Sequence, residues 1–145
     1  MRTYIFDIDN TIANNESRIH YLHQKPKNWD AWHGEYHTDT PHWEIVEILE
    51  LARASGIKIV LCTGRDSKYR PQTETWFDEH GIHYDALYMR PEGERKEDSE
   101  VKRDLLVQIR ADGYNPVLVF EDRDRVVDMW REEGLRCLQV APGNF

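Results

Sequence analysis

The run Phe6-Asp7-Ile8-Asp9-Asn10-Thr11 sets two carboxylates two residues apart, directly after the apolar stretch Thr3-Tyr4-Ile5-Phe6. Side chains at i and i+2 of a strand share a face, so Asp7 and Asp9 leave it together. Two close carboxylates repel unless a cation sits between them or one is protonated. All-oxygen donors of this kind suit a hard cation such as Mg²⁺. Two further strand ends carry matching groups. Thr63-Gly64-Arg65 follows the β-branched run Ile57–Cys62, and Glu121-Asp122-Arg123 follows Pro116–Phe120. Carboxylates, a hydroxyl, a guanidinium and exposed backbone N–H groups are the equipment of metal-assisted phosphoryl transfer.

Each group has a chemical reading and a plainer one. Asp7 reads as a nucleophile that forms an aspartyl-phosphate, or as a turn aspartate. Asp9 reads as the general acid/base that protonates the leaving oxygen and then activates water, or as a cap. Thr11 orients this loop or simply caps it. Thr63 and Arg65 read as ligands of the transferring phosphoryl group, with Gly64 allowing close backbone approach. Asp122 reads as a metal ligand. Glu121 stands behind it, acting through water, with Arg123 alongside; an acidic pair here also fits an ordinary helix N-cap.

The elements that must position these groups are legible from periodicity. Strands are expected at Thr3–Phe6, Ile57–Cys62, Ala86–Met89, Pro116–Phe120 and Arg136–Val140. Helices are expected at His42–Ser55, with Ile45, Ile48, Leu49 and Ala52 on one face, and at Pro71–His80, Ser99–Ala111 and Arg123–Glu133. Gly56, Gly81, Gly113 and Gly134 close them. Alternating strands and helices predict an α/β domain of three layers around a central parallel sheet, Rossmann-like in arrangement. Ligands of such sheets bind at the carboxyl ends of the strands. All three acidic or basic strand ends would then share one edge.

Residues Ala13 to Pro41 are polar, aromatic and histidine-rich without clear periodicity. We expect 1–145 to be one domain, with approximately residues 14–41 a small cap or lid insertion after the first strand. Five of the seven histidines fall between His20 and His42. His33 and His37 are spaced to share a helix face, but no third zinc ligand stands at a defined spacing. Tyr21, Trp29, Trp32 and Tyr36 in this segment are available to stack on bases, or to pack as a lid.

The net charge is −8, from 27 Asp+Glu against 19 Lys+Arg, which argues against a broad basic face for duplex binding. Local basic patches remain, with Arg18, Lys25 and Lys27 in one and Arg53, Lys58, Arg65, Lys68 and Arg70 in another. They can funnel a small anionic ligand or a strand end, or be solvated surface. No apolar run approaches the ~18 residues of a membrane span. The chain opens directly into a strand, so a signal peptide is not expected. Cys62 and Cys137 fit no zinc spacing and read as reduced core thiols of a cytoplasmic protein.

Phe6-Asp7-Ile8-Asp9-Asn10-Thr11 resembles the first motif of the haloacid dehalogenase superfamily of phosphohydrolases. Thr63-Gly64-Arg65, Lys102 and Glu121-Asp122 resemble its later motifs in order and spacing. The stretch Glu121–Phe145, with Val126-Val127-Asp128-Met129-Trp130-Arg131, Gly134, Cys137 and Gln139-Val140-Ala141, is similar to the 3′-phosphatase domains of bacteriophage polynucleotide kinase-phosphatases. Met89-Arg90, Arg95-Lys96 and Val101-Lys102 fit the same pattern. The resemblance implies a Mg²⁺-dependent phosphatase of 3′-terminal phosphates on DNA or RNA. Asp7 would be the nucleophile and Asp9 the acid/base. Thr63, Arg65 and Lys102 would hold the phosphate. Asp122 would complete the metal site with Asp7 and the Asp9 carbonyl.

Three departures accompany it. Asn10 replaces the usual glycine of the first motif, and Asn tolerates a left-handed backbone better than most residues. Glu121 replaces the usual first Asp of the last motif. No G-x-x-x-x-G-K-[ST] loop is present, so the chain is not expected to be a kinase and would act alone or beside a separate kinase or ligase. The alternatives are a phosphatase of free nucleotides or other small esters, since one core serves many substrates, and a non-catalytic phosphate- or nucleic-acid-binding protein.

Overall fold

The computed structural model describes residues 1–145. The strand β1 (Arg2–Phe6) lies at the centre of a five-stranded sheet. Two short strands, β2 (Ala13–Asn14) and β3 (Thr40–Pro41), follow it and bracket the first helix, α1 (Trp29–Gly34). The remainder alternates: α2 (Trp43–Ala54), β4 (Lys58–Asp66), α3 (Arg70–Glu79), β5 (Ala86–Arg90), α4 (Asp98–Ala111), β6 (Asn115–Glu121), α5 (Asp124–Glu132) and β7 (Arg136–Gln139). The sheet order is β5-β4-β1-β6-β7 and every pairing in it is parallel.

A period of two distributes the strand side chains between two cores. Phe6, Ile59, Leu61 and Phe120 join one core with Leu49 of α2 and Trp76 and Phe77 of α3. Their neighbours Ile5, Val60, Cys62 and Val119 join the other, with Leu105 and Ile109 of α4 and Val126 and Trp130 of α5. Burial of the sheet on both faces explains why its strands read as continuous apolar runs. The rings of Phe6 and Phe120 stack 4.4 Å apart between adjacent strands. Both cysteines are free and buried in the second core.

The periodic elements fall within a few residues of their expected bounds. The strand expected to end at Cys62 instead continues to Asp66. Thr63, Gly64 and Arg65 therefore lie within β4 and not beyond it. The extension is held by β5, where Arg90 pairs with Asp66 across a register shift and donates from Nε to the Gly64 carbonyl at 2.8 Å.

The aperiodic segment also has structure. It leaves and returns through the antiparallel pair β2–β3, Ala13 opposite Pro41 and Asn14 opposite Thr40. Between them lie α1 and two single 3₁₀ turns, Ile19–Leu22 and Tyr36–Thr38. Units this short carry too few turns for a hydrophobic period to show.

Core packing yields a direct test. Leu49→Ala removes a fully buried side chain from α2 and should cost about 2–5 kcal/mol in urea unfolding. Leu51→Ala on the same helix, where Leu51 is 71% exposed, should stay within about 0.5 kcal/mol.

Candidate active site

Asp7 follows β1 directly, and its backbone N–H extends the ladder to the Phe120 carbonyl at 2.9 Å. The chain then turns tightly. The Ile8 carbonyl accepts from the N–H groups of Thr11, Ile12 and Ala13, and Asn10 adopts φ +60°. The left-handed conformation falls on the residue that replaces the usual glycine, and Asn accepts it at modest cost. The Asn10 amide also reaches Asp122 Oδ2 at 3.2 Å, joining the first strand end to the last.

Two cationic centres organise the acids. Lys102, from α4, is buried with its Nζ 2.8 Å from both Asp7 Oδ1 and Glu121 Oε1. Thr11 Oγ1 donates to the other Asp7 oxygen at 3.0 Å. Glu121 is enclosed by donors: Oε1 also takes Trp130 Nε1 at 3.3 Å, and Oε2 takes the Asp122 N–H at 3.2 Å. The sequence suggested that Glu121 acts through water. Instead its longer side chain turns inward and fixes Lys102.

The second centre surrounds Asp9. Arg65 grips it with a fork, Nε to Oδ2 at 3.0 Å and Nη2 to Oδ1 at 2.8 Å, and sends Nη1 to Thr73 at 3.1 Å. Arg18, fully buried, adds Nη2 to Asp9 Oδ1 at 2.8 Å. It also binds Asp39 through Nε and Nη2, both at 2.7 Å, and the Trp32 carbonyl through Nη1 at 3.0 Å. Aromatic faces close the cage. Arg18 lies over Trp32 at 4.1 Å and Arg65 over Tyr36 at 3.6 Å. No buried side-chain nitrogen or oxygen lacks a partner.

The groups expected to bind phosphate are engaged here by protein partners. Arg65 directs its fork at a carboxylate, because the ionised Asp9 beside it satisfies the same bidentate geometry as phosphate. Thr63 is buried, and its Oγ1 accepts from the Arg65 N–H at 3.1 Å. Lys102 is likewise buried beneath the acids. Gly64 lines the cavity, and its missing side chain admits Asp98: a Cβ there would lie 1.9 Å from Asp98 Oδ1. Asp98 in turn pairs with Arg90 at 3.3 Å and approaches Arg123 at 3.9 Å. Arg123 lines the cavity and donates from Nε to the Phe145 carbonyl.

Asp7, Asp9, Asn10, Gly64, Arg65, Asp98, Glu121 and Asp122 open on one cavity of about 720 Å³. Arg18, Asp39, Thr73 and Asp98 escaped the sequence reading as site residues. Arg18 showed only as part of a basic patch. Asp39 lies 21 residues from it in a segment without periodicity, so no local signal joined them.

Electrostatics separates the two strand-one carboxylates. Burial and the Glu121 charge push Asp7 up to about 8 despite Lys102. Burial and Asp7 push Asp122 up to about 7. Burial also opposes ionisation of Asp9, but Arg65 and Arg18 overcome it and hold that carboxyl well below the usual range. Lys102 stays charged despite burial because Asp7 and Glu121 flank it. Ligand oxygens of Asp7, Glu121 and Asp122 lie within 4.8 Å of one another. This all-carboxylate set fits a hard divalent cation. Asp7 and Asp122 are its better-suited donors, since protein donors enclose Glu121. Asp9 could contribute only its carbonyl while its carboxylate faces the arginines. The histidines form no comparable cluster.

Comparison with known proteins identifies the family and the fold. The family model "Polynucleotide kinase PNKP phosphatase domain" matches residues 1–145. Among solved structures, a chain of a Pnkp1/Rnl/Hen1 complex is 30% identical, with a TM-score of 0.85 over 99% of this chain and 47% of that one. A chain of a Pnkp1/Rnl/Hen1 RNA repair complex is also 30% identical, with a TM-score of 0.86 over 99% and 43%. The present chain thus spans about half the length of these matched chains. The class C acid phosphatase of Bacillus anthracis shares the fold at 14% identity, with a TM-score of 0.69 over 99% of this chain and 67% of that one.

The raised acids predict a metal- and pH-dependent stability. The folded state retains protons on Asp7 and Asp122 that the unfolded chain releases near pH 4, so stability without metal falls as pH rises toward 7–8. A divalent cation relieves the repulsion, and protons compete with it less at high pH. The rise in Tm produced by Mg²⁺ over EDTA should therefore be larger at pH 8 than at pH 6. An equal or smaller rise at pH 8 would contradict the assignment.

Proposed function

On the premise that the chain belongs to the family of polynucleotide kinase PNKP phosphatase domains, we propose that it is a Mg²⁺-dependent phosphomonoesterase that removes 3′-terminal phosphates from DNA or RNA. The observation that carries this reading is the meeting of three strand ends in one cavity, with two proton-retaining carboxylates beside a buried lysine.

In the first half-reaction an Asp7 carboxylate oxygen attacks phosphorus. The new P–O bond forms as the bond from phosphorus to O3′ breaks, and the leaving oxygen takes a proton to become a 3′-hydroxyl. In the second, water attacks phosphorus, the bond to Asp7 breaks, and inorganic phosphate departs. Lys102 and Thr11 fix the rotamer of Asp7 through one oxygen each. Asp9 manages the proton. It is ionised and so has the form of a base, but two arginines hold its proton affinity low, and accepting a proton from water requires that their grip loosen. Donating one to O3′ requires that it first be protonated and loosen its hold on Arg65 and Arg18. A Mg²⁺ ion held by Asp7, Asp122 and the Asp9 carbonyl would neutralise phosphate charge and permit both acids to ionise. Thr63, Gly64, Arg65 and Lys102 form the phosphate side of the site, with Thr11, Glu121 and Arg123 supporting it.

We assign residues 14–41 as a short cap on a single catalytic domain. Its size leaves the site open to a polymer end, and the similarity to chains of an RNA repair complex supports nucleic-acid ends as substrate and a separate kinase or ligase as partner. Buried free thiols suit a reducing, cytoplasmic setting. No helix is long and apolar enough to cross a membrane.

The test compares Mg²⁺-dependent phosphate release from a 3′-phosphorylated oligonucleotide, its 5′-phosphorylated counterpart and a 3′-mononucleotide. Preference for the 3′-phosphorylated oligomer is expected. Equal or better release from the mononucleotide would move the assignment to a small-ester phosphatase. Asp7→Asn should abolish turnover with the fold intact, and Asp9→Asn should lower kcat roughly 10²–10⁴-fold. Wild-type rates in either variant would remove the role given to that residue.

A further inference from the structure

The cavity is larger than a phosphoryl group needs. Its volume of about 720 Å³ lies in the ~300–1,000 Å³ range of sites that enclose a whole small molecule. Sheet edges supply one part of its wall, with the acids. The insertion supplies another, through Ile19, Leu22, Lys27, Trp29 and His33.

The aromatic residues of the insertion are not equivalent. Trp32 and Tyr36 are buried, and their faces are occupied by Arg18 and Arg65. Tyr21 lies outside the cavity wall. Trp29 alone among the four lines the cavity while remaining 51% exposed. It is backed by a nearly parallel series. Its ring lies 24° from that of His33 at 6.2 Å, and His33 lies 17° from Tyr69 at 4.6 Å. The His33 ring is fixed in turn by a hydrogen bond between Nδ1 and the Tyr36 hydroxyl. Lys27 holds its ammonium 5.6 Å from the Trp29 ring centroid. A half-exposed aromatic ring with a single lysine ammonium over it, at the longer distance of 5.6 Å, is a combination that binds single-stranded nucleic acid without regard to sequence. Ile19, also exposed, lies on the same wall.

We propose that Trp29, backed by His33 and Tyr69, is the platform on which the nucleobase of the 3′-terminal nucleotide stacks while its phosphate lies among the acids. This rests on the phosphatase reading above and adds a specificity-determining residue to it. Stacking uses the π-face common to all bases, so the preference is for a base as such and not for one base.

The experiment measures kcat and KM for a 3′-phosphorylated oligonucleotide and for the same oligonucleotide ending in a 3′-phosphorylated tetrahydrofuran abasic unit. Wild type, Trp29→Ala and Trp29→Phe are compared. Wild type is expected to favour the base-bearing end by about ten- to hundredfold in kcat/KM. Trp29→Ala should erase that preference through KM, with kcat on the base-bearing end held within about twofold. Trp29→Phe, which keeps an aromatic face, should restore most of it. Unaltered discrimination in Trp29→Ala, or an equal loss on both ends, overturns the proposal. Phosphate release by wild type with no base preference overturns it while leaving the phosphatase reading in place. No release from either oligonucleotide overturns both.

Discussion

One buried ammonium makes the acidic edge of this sheet possible. Lys102 lies in the core beneath the site with Asp7 and Glu121 each 2.8 Å away. Removing charges from water costs several kcal/mol per ion, and mutual attraction offsets it only when the remaining valences are filled. Here they are filled. Thr11 takes the second Asp7 oxygen, and Trp130 and the Asp122 N–H complete Glu121. The fold supplies these partners from four elements, so the site holds together only when β1, β6, α4 and α5 are all in place. Even so, the cation balances fewer charges than it faces. Asp7 and Asp122 retain raised proton affinity, a deficit that a divalent ion would fill.

The arginine pair solves a different problem. It holds Asp9 as a carboxylate while Asp7, two residues away, is pressed toward its neutral form. Identical side chains thereby gain opposite proton preferences. Without metal these run against the proposed roles, since attack needs Asp7 ionised and protonation of O3′ needs a proton on Asp9. A divalent cation beside Asp7 would restore its carboxylate form. Arg18 belongs to the insertion and Arg65 to β4, and Asp39, near the insertion's end, binds Arg18 and lies 3.7 Å from Arg65. The segment between β2 and β3 is therefore tied to the cavity through the ion pairs of one carboxylate. The same segment presents Trp29 outward.

The sequence disclosed the scaffold because its strands and helices are long enough to display a period, and because strand ends in a parallel sheet converge. That convergence made Asp7, Thr63-Gly64-Arg65 and Glu121-Asp122 visible as one constellation. What stayed hidden was direction. A guanidinium that meets phosphate and one that meets a carboxylate have the same sequence, so the partner of Arg65 could be read only from coordinates. Glu121 posed the same difficulty, since one extra methylene lets the carboxyl turn inward to Lys102. Arg18 and Asp39 were invisible for another reason: they pair across 21 residues of 3₁₀ turns and a six-residue helix, where no periodicity marks a face. Asn10 was legible, because few residues besides glycine accept φ +60°.

The proposed reaction requires an Asp7 carboxylate oxygen to accept the phosphoryl group. The most direct test is to quench the enzyme during turnover of a 3′-phosphorylated oligonucleotide with Mg²⁺, reduce it with borohydride and sequence the peptides by mass spectrometry. An acyl-phosphate at Asp7 would be reduced to homoserine at that position alone, dependent on substrate and metal. Recovery of unmodified Asp7 alongside reduction at Asp9 or Asp122 would contradict the assignment.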